Sequence, residues 1–182
     1  MVDGSQAVLP PKISPVLPGS QYAKLLSSGA TVVAFGRNDE KLAVAQQYGA
    51  DHVINTTGKA IDDIRQELWH ATDHHEIDAA VDCAGAEATI QMGFGLLATA
   101  GTYVSVGLVG TRINIPLFPF VGREFTYHGS FWGNYNDLSE IIALAQQGKI
   151  KHTLKKVRFD DINENLELLR DGDIIGRAVV MF

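Results

Sequence analysis

Two adjacent histidines are the side chains whose types most suggest metal chemistry. His74 and His75 lie between Asp73 and Glu76, which puts four potential ligands in one short segment. Neighbouring residues seldom point at one ion, and the usual zinc-site spacings, paired cysteines or histidines at i and i+4, are missing. The pattern therefore favours a solvated loop, and we assign no catalytic or metal-binding residue to this chain.

Cys83 is the single cysteine among 182 residues. It follows Ala79–Asp82, a mostly apolar run that predicts a buried strand, so we expect neither a reactive thiol nor a zinc ligand there. One cysteine excludes an internal disulfide and suits a reducing, cytoplasmic location. We find no signal-peptide pattern, and no apolar run reaches the ~18 residues of a membrane span.

The composition predicts a globular protein with one ordinary domain. Hydrophobic residues make up 46% and charged residues 20% of the chain, and this length is enough to bury a real core. The net charge of −6 argues against nucleic acid or an anionic membrane surface as a partner.

The segment Gly29–Asn55 predicts a strand, a helix and a second strand. Thr31–Phe35 is a short apolar run, typical of a strand covered on both faces. Asn38 is placed to cap the following helix, and His52–Asn55 predicts the second strand. Together these elements form a βαβ unit, which predicts an α/β fold with a parallel sheet.

Strands and helices alternate through the rest of the chain. Further strands are predicted at Ala79–Gly85, Thr102–Leu108, Glu124–Phe131 and Gly176–Phe182. Further helices are predicted at Ala60–Trp69, Glu87–Ala98, Asn136–Ala145 and Asp161–Arg170. Two prolines make Arg112–Phe120 an edge or crossover segment. The alternation predicts a doubly wound, Rossmann-type parallel sheet.

Five segments in this order resemble the second half of the nucleotide-binding domain of medium-chain, zinc-type alcohol dehydrogenases. They are Gly29–Asn55, Asp78–Gly85, Gly101–Gly107, Gly129–Gly133 and Gly176–Phe182. The resemblance covers residues 21–182 and implies that they form a dinucleotide-binding domain with a C-terminal strand. The reaction that it implies is hydride transfer between a small alcohol or carbonyl substrate and a nicotinamide dinucleotide.

Residues 1–20 depart from the family pattern. Four of the six prolines lie in this irregular lead-in. Between Pro18-Gly19-Ser20 and Gln21–Leu26, the family's first strand and its Gly-x-Gly-x-x-Gly turn, which holds the pyrophosphate, are missing. The sheet is therefore expected to be incomplete at its first strand, although Ala7–Leu9 could fill part of the gap. Either the sequence omits a segment, or the chain is truncated, or its strands pair differently.

The resemblance also implies which residues contact the cofactor. They are Gly36, Arg37, Lys41, Ala84, Gly85, Val106, Gly107, Ser130, Phe131 and Arg177. Lys41 matches a lysine that contacts the adenosine ribose, and Arg177 matches an arginine that reaches the pyrophosphate, a role suited to a planar, permanently charged donor. Strand-ending glycines and surface basic residues need no ligand, so that alternative stays open.

The end of the predicted strand Thr31–Phe35 favours NADP over NAD. NAD-binding sites place an acid there to accept hydrogen bonds from the ribose 2′-hydroxyl. This chain has Gly36 and Arg37 instead, and an arginine can pair with a 2′-phosphate. Asp39 and Glu40 lie close by and would repel that phosphate, so NAD remains the alternative.

Three functions remain open from the sequence. The resemblance places zinc, with its cysteine and histidine ligands, in a separate N-terminal domain that this sequence lacks, so the chain alone is predicted to be inactive. It is the cofactor-binding part of an NAD(P)-dependent alcohol dehydrogenase, or a truncated, non-catalytic remnant that binds nucleotide weakly or associates with like subunits. The lesser alternative is a zinc-free, quinone-reductase-like member.

The aromatic-rich region after residue 117 predicts a homo-oligomer. Its aromatic residues are Phe118, Phe120, Phe125, Tyr127, Phe131 and Trp132. In the family that the chain resembles, this region forms much of the subunit contact, and an exposed aromatic cluster fits such an interface. Core packing would explain the same aromatics equally well.

Overall fold

The computed structural model describes residues 7–9 and 29–182. It has a six-stranded, fully parallel sheet with strand order β3-β2-β1-β4-β5-β6. The strands are β1 (Ala7–Leu9), β2 (Val32–Gly36), β3 (His52–Asn55), β4 (Ile77–Asp82), β5 (Leu97–Ser105) and β6 (Thr126–Gly129). This is the strand order of the doubly wound α/β fold, which confirms the predicted fold class.

Helices connect the strands and a second, smaller sheet follows. The helices are α1 (Asp39–Gln47), α2 (Ile61–Ala71), α3 (Glu87–Leu96), α4 (Leu117–Gly122), α5 (Tyr135–Gln146) and α6 (Ile162–Asp171). The second sheet pairs β7 (Leu154–Arg158) in parallel with β8 (Arg177–Met181). Within the described residues, no helix is both long and apolar enough to cross a membrane.

The main sheet is buried on both faces, as the apolar run in β2 predicts. Val32 and Ala34 pack on one face with Leu42 of α1. Val33 and Phe35 point to the opposite face and join a larger cluster with residues of α2, α3, β4 and β5. Because successive strand residues face opposite sides, a strand sandwiched between helix layers has to be apolar at every position.

The short strand β1 occupies the centre of the sheet, where the sequence predicts a gap. Ala7 pairs with Val32 of β2 on one side and with Ala79 of β4 on the other. The part of the predicted irregular lead-in that the structure describes is therefore a strand of three residues, against five in β2 and six in β4. The rest of the lead-in and Gln21–Leu26 lie outside the described residues.

The boundary between α3 and β5 differs from the prediction. A helix was expected through Ala98 with Gly101 as its end, whereas α3 ends at Leu96 and β5 begins at Leu97. Leu97 is fully buried and pairs with Ile77 of β4. Burial against β4 therefore outweighs the helical propensity of this apolar segment.

Three features of the C-terminal region were not predicted from the sequence. Strand β7 has the sequence LKKVR with Val157 as its one buried residue, so it lacks the apolar alternation that predicts strands. The cap of α5 is Asn134, two residues before the predicted start of this helix at Asn136, and its side chain accepts hydrogen bonds from the backbone N–H groups of Asn136 and Asp137. The predicted terminal strand exists as β8, and it pairs with β7 in the second sheet.

Candidate functional site

The carboxyl ends of the parallel strands bring most of the predicted site residues to one edge of the sheet. β2 ends at Gly36, β4 at Asp82, β5 at Ser105 and β6 at Gly129. Ligands of doubly wound sheets bind in the crevice outside these ends. The predicted residues that follow the strand ends are Arg37, Ala84, Gly85, Val106, Gly107, Ser130 and Phe131.

The loops after β4 and β5 touch through their glycines. A Cβ atom on Gly107 would lie 2.2 Å from the carbonyl carbon of Ala84, and one on Gly85 would lie 1.9 Å from the Gly107 oxygen. Backbone hydrogen bonds of 3.1 Å from Val109 N to Ala84 O and of 2.7 Å from Gly110 N to Gly85 O join the loops. The structure thus brings the glycines together, and any side chain there would separate the loops.

A buried carboxylate holds the turn after β4. Asp82 is fully buried, and its Oδ1 accepts hydrogen bonds of 2.7 Å from Ala84 N and 2.9 Å from Gly85 N. Its Oδ2 accepts hydrogen bonds of 2.6 Å from the Tyr103 hydroxyl and 2.8 Å from Thr89 Oγ1. Four donors thus satisfy both oxygens, which a buried charge requires.

Burial also keeps the neighbouring acidic groups protonated. Burial, followed by the hydrogen bond to Asp82, raises the pKa of Tyr103, so its hydroxyl remains a donor. Burial and, secondly, the charge of Asp82 raise the pKa of the Cys83 thiol to about 11. A thiol in this state is a poor nucleophile and a poor metal ligand at neutral pH.

The turn after β2 is fixed by the loop that follows β3. The Gly36 carbonyl accepts hydrogen bonds from Thr56 N at 2.7 Å and Thr56 Oγ1 at 3.1 Å. The Arg37 carbonyl accepts one of 3.0 Å from Thr57 Oγ1. The Arg37 side chain is exposed, and it forms no ion pair within the described residues. Asp39 accepts a hydrogen bond from Asn55 Nδ2.

Ser130 and Phe131 lie beside the end of β5. Ser130 N donates a hydrogen bond of 2.9 Å to the carbonyl oxygen of Ser105, the last residue of β5. Val106 follows directly. The Phe131 ring is 74% exposed and meets the Trp132 ring edge-on, with 5.5 Å between centroids. These residues therefore extend the edge formed by the glycine loops.

Lys41 and Arg177 do not lie on the loops that follow the strands of the main sheet. Lys41, in the first turn of α1, donates a hydrogen bond from Nζ to the carbonyl of Gly172, which caps α6. Arg177 is the first residue of β8 in the second sheet, and its side chain is exposed. The Lys41 contact joins α1 to the segment that leads to Arg177.

Sequence reasoning missed three residues at this edge: Asp82, Thr89 and Tyr103. Asp82 was included in a buried strand without a role of its own. An acid at the end of an otherwise apolar strand was the available signal, because a buried carboxylate needs donors. Thr89 and Tyr103 gave no such signal, since hydroxyl residues are common in helices and strands.

The glycine loops present backbone groups at this edge of the sheet. Where the two loops touch, a Cβ atom on Gly85 or Gly107 would collide with backbone atoms of the other loop, so neither position can carry a side chain. Within residues 7–9 and 29–182, no group of three or more histidine, cysteine, aspartate or glutamate side chains could hold a metal ion.

Six parallel strands in this order, with glycine loops at the carboxyl edge, define a doubly wound domain of the dinucleotide-binding class. A family model described as zinc-binding dehydrogenase matches residues 19–147. The chain therefore belongs to the zinc-binding dehydrogenase family, which confirms the resemblance to zinc-type alcohol dehydrogenases.

Individual relatives agree with this assignment. The chain is 32% identical over 162 residues to an NAD-dependent alcohol dehydrogenase of Saccharolobus solfataricus, covering 88% of this chain and 46% of that protein. It is 31% identical over 160 residues to a D-arabinose 1-dehydrogenase (NADP(+)) of the same organism, covering 88% and 44%. The chain thus spans about half the length of the curated relatives it matches.

A solved structure shows the same fold at similar coverage. The alcohol dehydrogenase of Aeropyrum pernix superposes with a TM-score of 0.86 and 30% identity, covering 99% of this chain and 51% of that one. The matched half includes both the main sheet and the C-terminal residues, since almost all of this chain is covered.

Proposed function

We propose that this chain is the cofactor-binding part of an NAD(P)-dependent alcohol dehydrogenase and binds a nicotinamide dinucleotide at the carboxyl edge of its sheet. The observation that carries the proposal is the backbone contact between the Gly85 and Gly107 loops, held by Asp82, in a sheet of dinucleotide-binding order. Family membership and the names of the relatives support it.

The cofactor supplies the hydride chemistry, and the chain's own residues bind and orient it. The loops at Ala84-Gly85 and Val106-Gly107 would lie along the ribose and nicotinamide, with Ser130 and Phe131 beside the nicotinamide. Arg177 would pair with the pyrophosphate. Catalysis would also need the half of the relatives' length that this chain does not cover, so we expect the 182-residue chain to oxidise no alcohol.

We also infer a preference for NADP over NAD. Arg37 is exposed, free of an ion-pair partner within residues 7–9 and 29–182, and directly follows β2. The Asp39 side chain opposes this preference, because its negative charge would repel the 2′-phosphate of NADP. Relatives of both kinds exist, one named for NAD and one for NADP(+).

Fluorescence titration tests both proposals. Trp132 stands next to Phe131 at the edge, whereas Trp69 is in α2, so a Trp69→Phe variant leaves one reporter near the site. We expect quenching by NADPH at lower concentration than by NADH, and an Arg37→Met change should remove the difference. Tighter binding of NADH would reverse the cofactor assignment, and no response to either would contradict the binding site.

The last strand of the main sheet supports association with a second copy. β6 is the final strand of the sheet order, and exposed apolar side chains lie on the segments before and after it. They include Leu117, Phe118, Phe131, Trp132 and Tyr135, all at least 73% exposed. Such patches mark interaction sites. We propose that the chain forms a homo-oligomer through this end of the sheet. We separately propose a cytoplasmic location.

A further inference from the structure

The second sheet has one covered face and one open face. Alternate residues of a strand share a face, and paired residues of neighbouring strands lie on the same side of the sheet. Val157 pairs with Val180 and is 5% exposed, and α6 packs against its strand. The opposite face carries the other alternate positions of both strands, and all of their side chains are exposed: Leu154, Lys156, Arg158, Arg177, Val179 and Met181.

Each row across this open face combines a basic side chain with an apolar one. The cross-strand pairs are Leu154 with Arg177, Lys156 with Val179, and Arg158 with Met181. The apolar members Leu154, Val179 and Met181 are 56%, 38% and 49% exposed. Arg158 pairs with Asp160 at 3.3 Å, but both side chains are largely exposed, so this ion pair contributes little. Positive charge and apolar surface therefore alternate over one patch.

A parallel pair of strands with an open face is an incomplete unit. Parallel sheets occur almost only with both faces covered, and two strands alone are marginally stable in water. Among the described residues, β7 pairs only with β8, so each strand also has one edge without a partner strand. The second sheet therefore offers both a face and an edge to another segment of protein.

The comparisons indicate a partner for this face. The chain covers 51% of the Aeropyrum pernix alcohol dehydrogenase, and the match includes 99% of this chain at a TM-score of 0.86. The second sheet thus lies inside the matched half, and an enzyme of that length has a second half to pack against it. The open face is exposed apolar surface outside the patch around β6, which we assign to a second copy.

Charge distinguishes this partner from the other possible occupants. A contact between the open faces of two copies would set the basic side chains of one copy against those of the other, and like charges repel. An anionic membrane would attract the face but repel the chain as a whole, because its net charge is −6. A protein surface with carboxylates can pair with Lys156 and Arg158 while its apolar side chains cover Leu154, Val179 and Met181.

We propose that the open face of the second sheet is the docking surface for the half of the dehydrogenase that this chain does not span. The docking segment is extended, and acidic and apolar side chains alternate along it, with its carboxylates opposite Lys156 and Arg158. Arg177 keeps its proposed contact with the pyrophosphate, and docking does not require it. The inference rests on the proposed function, because it names the partner that completes this cofactor-binding part.

A fusion protein supplies the missing half for the test. The N-terminal part of the Aeropyrum pernix enzyme, outside the superposed half, is joined ahead of Met1 of the full 182-residue chain. A linked segment binds at a high effective concentration, so even a weak contact forms. We expect the backbone amides of β7 and β8 to exchange hydrogen at least tenfold more slowly in the fusion than in the chain alone.

Paired variants of the fusion test the chemistry of the contact. Lys156→Glu should reduce this protection at least fivefold. Arg112→Glu, an equal charge reversal at an exposed arginine outside the open face, should change it less than twofold. Leu154→Ser should also reduce the protection. The Leu117→Ser/Phe118→Ser double variant should not, because these two side chains belong to the patch around β6.

Equal exchange of β7 and β8 in the fusion and in the chain alone would overturn the inference, as would equal effects of Lys156→Glu and Arg112→Glu. Protection in the chain alone that grows with its own concentration would overturn it in favour of a second copy. Protection by phosphatidylserine vesicles would overturn it in favour of a membrane.

Fluorescence titration of the chain alone with NADPH separates this inference from the proposed function. Binding of NADPH together with unprotected strands in the fusion would overturn only the docking surface. Protected strands without any binding of NADPH would overturn only the proposed nucleotide function.

Discussion

At the scale of single residues, Asp82 is the side chain on which the shape of the edge depends. Its carboxylate is fully buried and accepts hydrogen bonds from two backbone N–H groups and two hydroxyls. When a buried donor loses its acceptor, folding must bear the full free-energy cost of removing that donor from water. Asp82 therefore stabilises the turn at Ala84 and Gly85 more than a surface acid could.

We expect Asp82→Ala to lower the free energy of unfolding by about 3 kcal/mol, because it leaves three buried donors, Ala84 N, Gly85 N and the Tyr103 hydroxyl, without their acceptor. Asp82→Asn is the matched control and should lose less than about 2 kcal/mol. Its amide oxygen still accepts from Ala84 and Gly85, and Thr89 can donate to the Ala86 carbonyl instead. Urea denaturation measures both values. Equal losses in the two variants would show that the turn does not need this acceptor.

The Cys83 thiol gives a second prediction at this scale. Burial raises its pKa to about 11, against a model-peptide value of 9.0. The thiolate fraction at pH 8 is therefore about 100-fold lower in the folded than in the unfolded chain. Thiol labelling should be slower by at least that factor in native buffer than in urea, and its rate should still rise up to about pH 10. Comparable rates in the two solvents would place Cys83 in a more open environment.

The same pKa shift gives Cys83 a defined effect on stability. Because the folded-state pKa is raised, the folded chain keeps the thiol proton after the unfolded chain has lost it. The contribution of Cys83 to stability is thus constant below about pH 9 and falls as the pH rises from 9 towards 11. A Cys83→Ser variant should lose less stability over this window, as equilibrium unfolding at several pH values would show.

At the scale of elements, the two loops after β4 and β5 act as one unit because their glycines touch. We expect Gly107→Ala to destabilise the chain by about 2 kcal/mol or more, since its Cβ would lie 2.2 Å from the carbonyl carbon of Ala84. Gly122→Ala in α4 is the control, with nothing within 4 Å of the added atom and an expected change within about 0.5 kcal/mol. If both variants unfolded at the same urea concentration, the loops would have to be looser than the structure indicates.

The elements that the sequence predicts well are those with one dominant pattern. The apolar run at Thr31–Phe35 and the cap at Asn38 correspond to β2 and α1, and the Asn38 side chain accepts a hydrogen bond from Lys41 N. The elements that it misses depend on distant partners. β1 has three residues and exists by pairing with β2 and β4, and β7 has a Lys-rich sequence that pairs with β8.

The same distinction applies to the site. The glycines at 85 and 107 were predictable, because they follow apolar strands. The Asp82 cluster and the Lys41–Gly172 contact were not, since they join residues as far apart as 131 positions, and a sequence pattern carries no such information. The spacing of residues along the chain determines strands and turns, whereas the fold determines which of their ends meet.

At the scale of the whole molecule, apolar surface is concentrated beyond β6 and on the C-terminal region. Helix α5 has no buried residue, and Leu138 and Ile142 on it are about half exposed. The chain also covers only about half of the relatives' length. Exposed apolar faces of this kind mark contact surfaces.

We expect the purified chain to self-associate through the end of the main sheet. A Leu117→Ser/Phe118→Ser double variant should shift the sedimentation profile towards the monomer, since both side chains are more than 70% exposed and contribute little to the core. A Leu154→Ser variant on β7 removes apolar surface of the second sheet and is the control. A chain that is monomeric at all concentrations, or a control with an equal shift, would refute association at this place.

The location of the dinucleotide on the molecule is the most direct test of the proposed function. The measurement is a titration of the ¹⁵N-labelled 182-residue chain with NADPH and NADH, followed by backbone amide shifts. We expect the largest shifts at Gly36-Arg37, Ala84-Gly85, Val106-Gly107 and Ser130-Phe131, and none in the surface cleft lined by His52 and His70. Shifts confined to that cleft, or none at millimolar dinucleotide, would contradict a cofactor site at the carboxyl edge of this sheet.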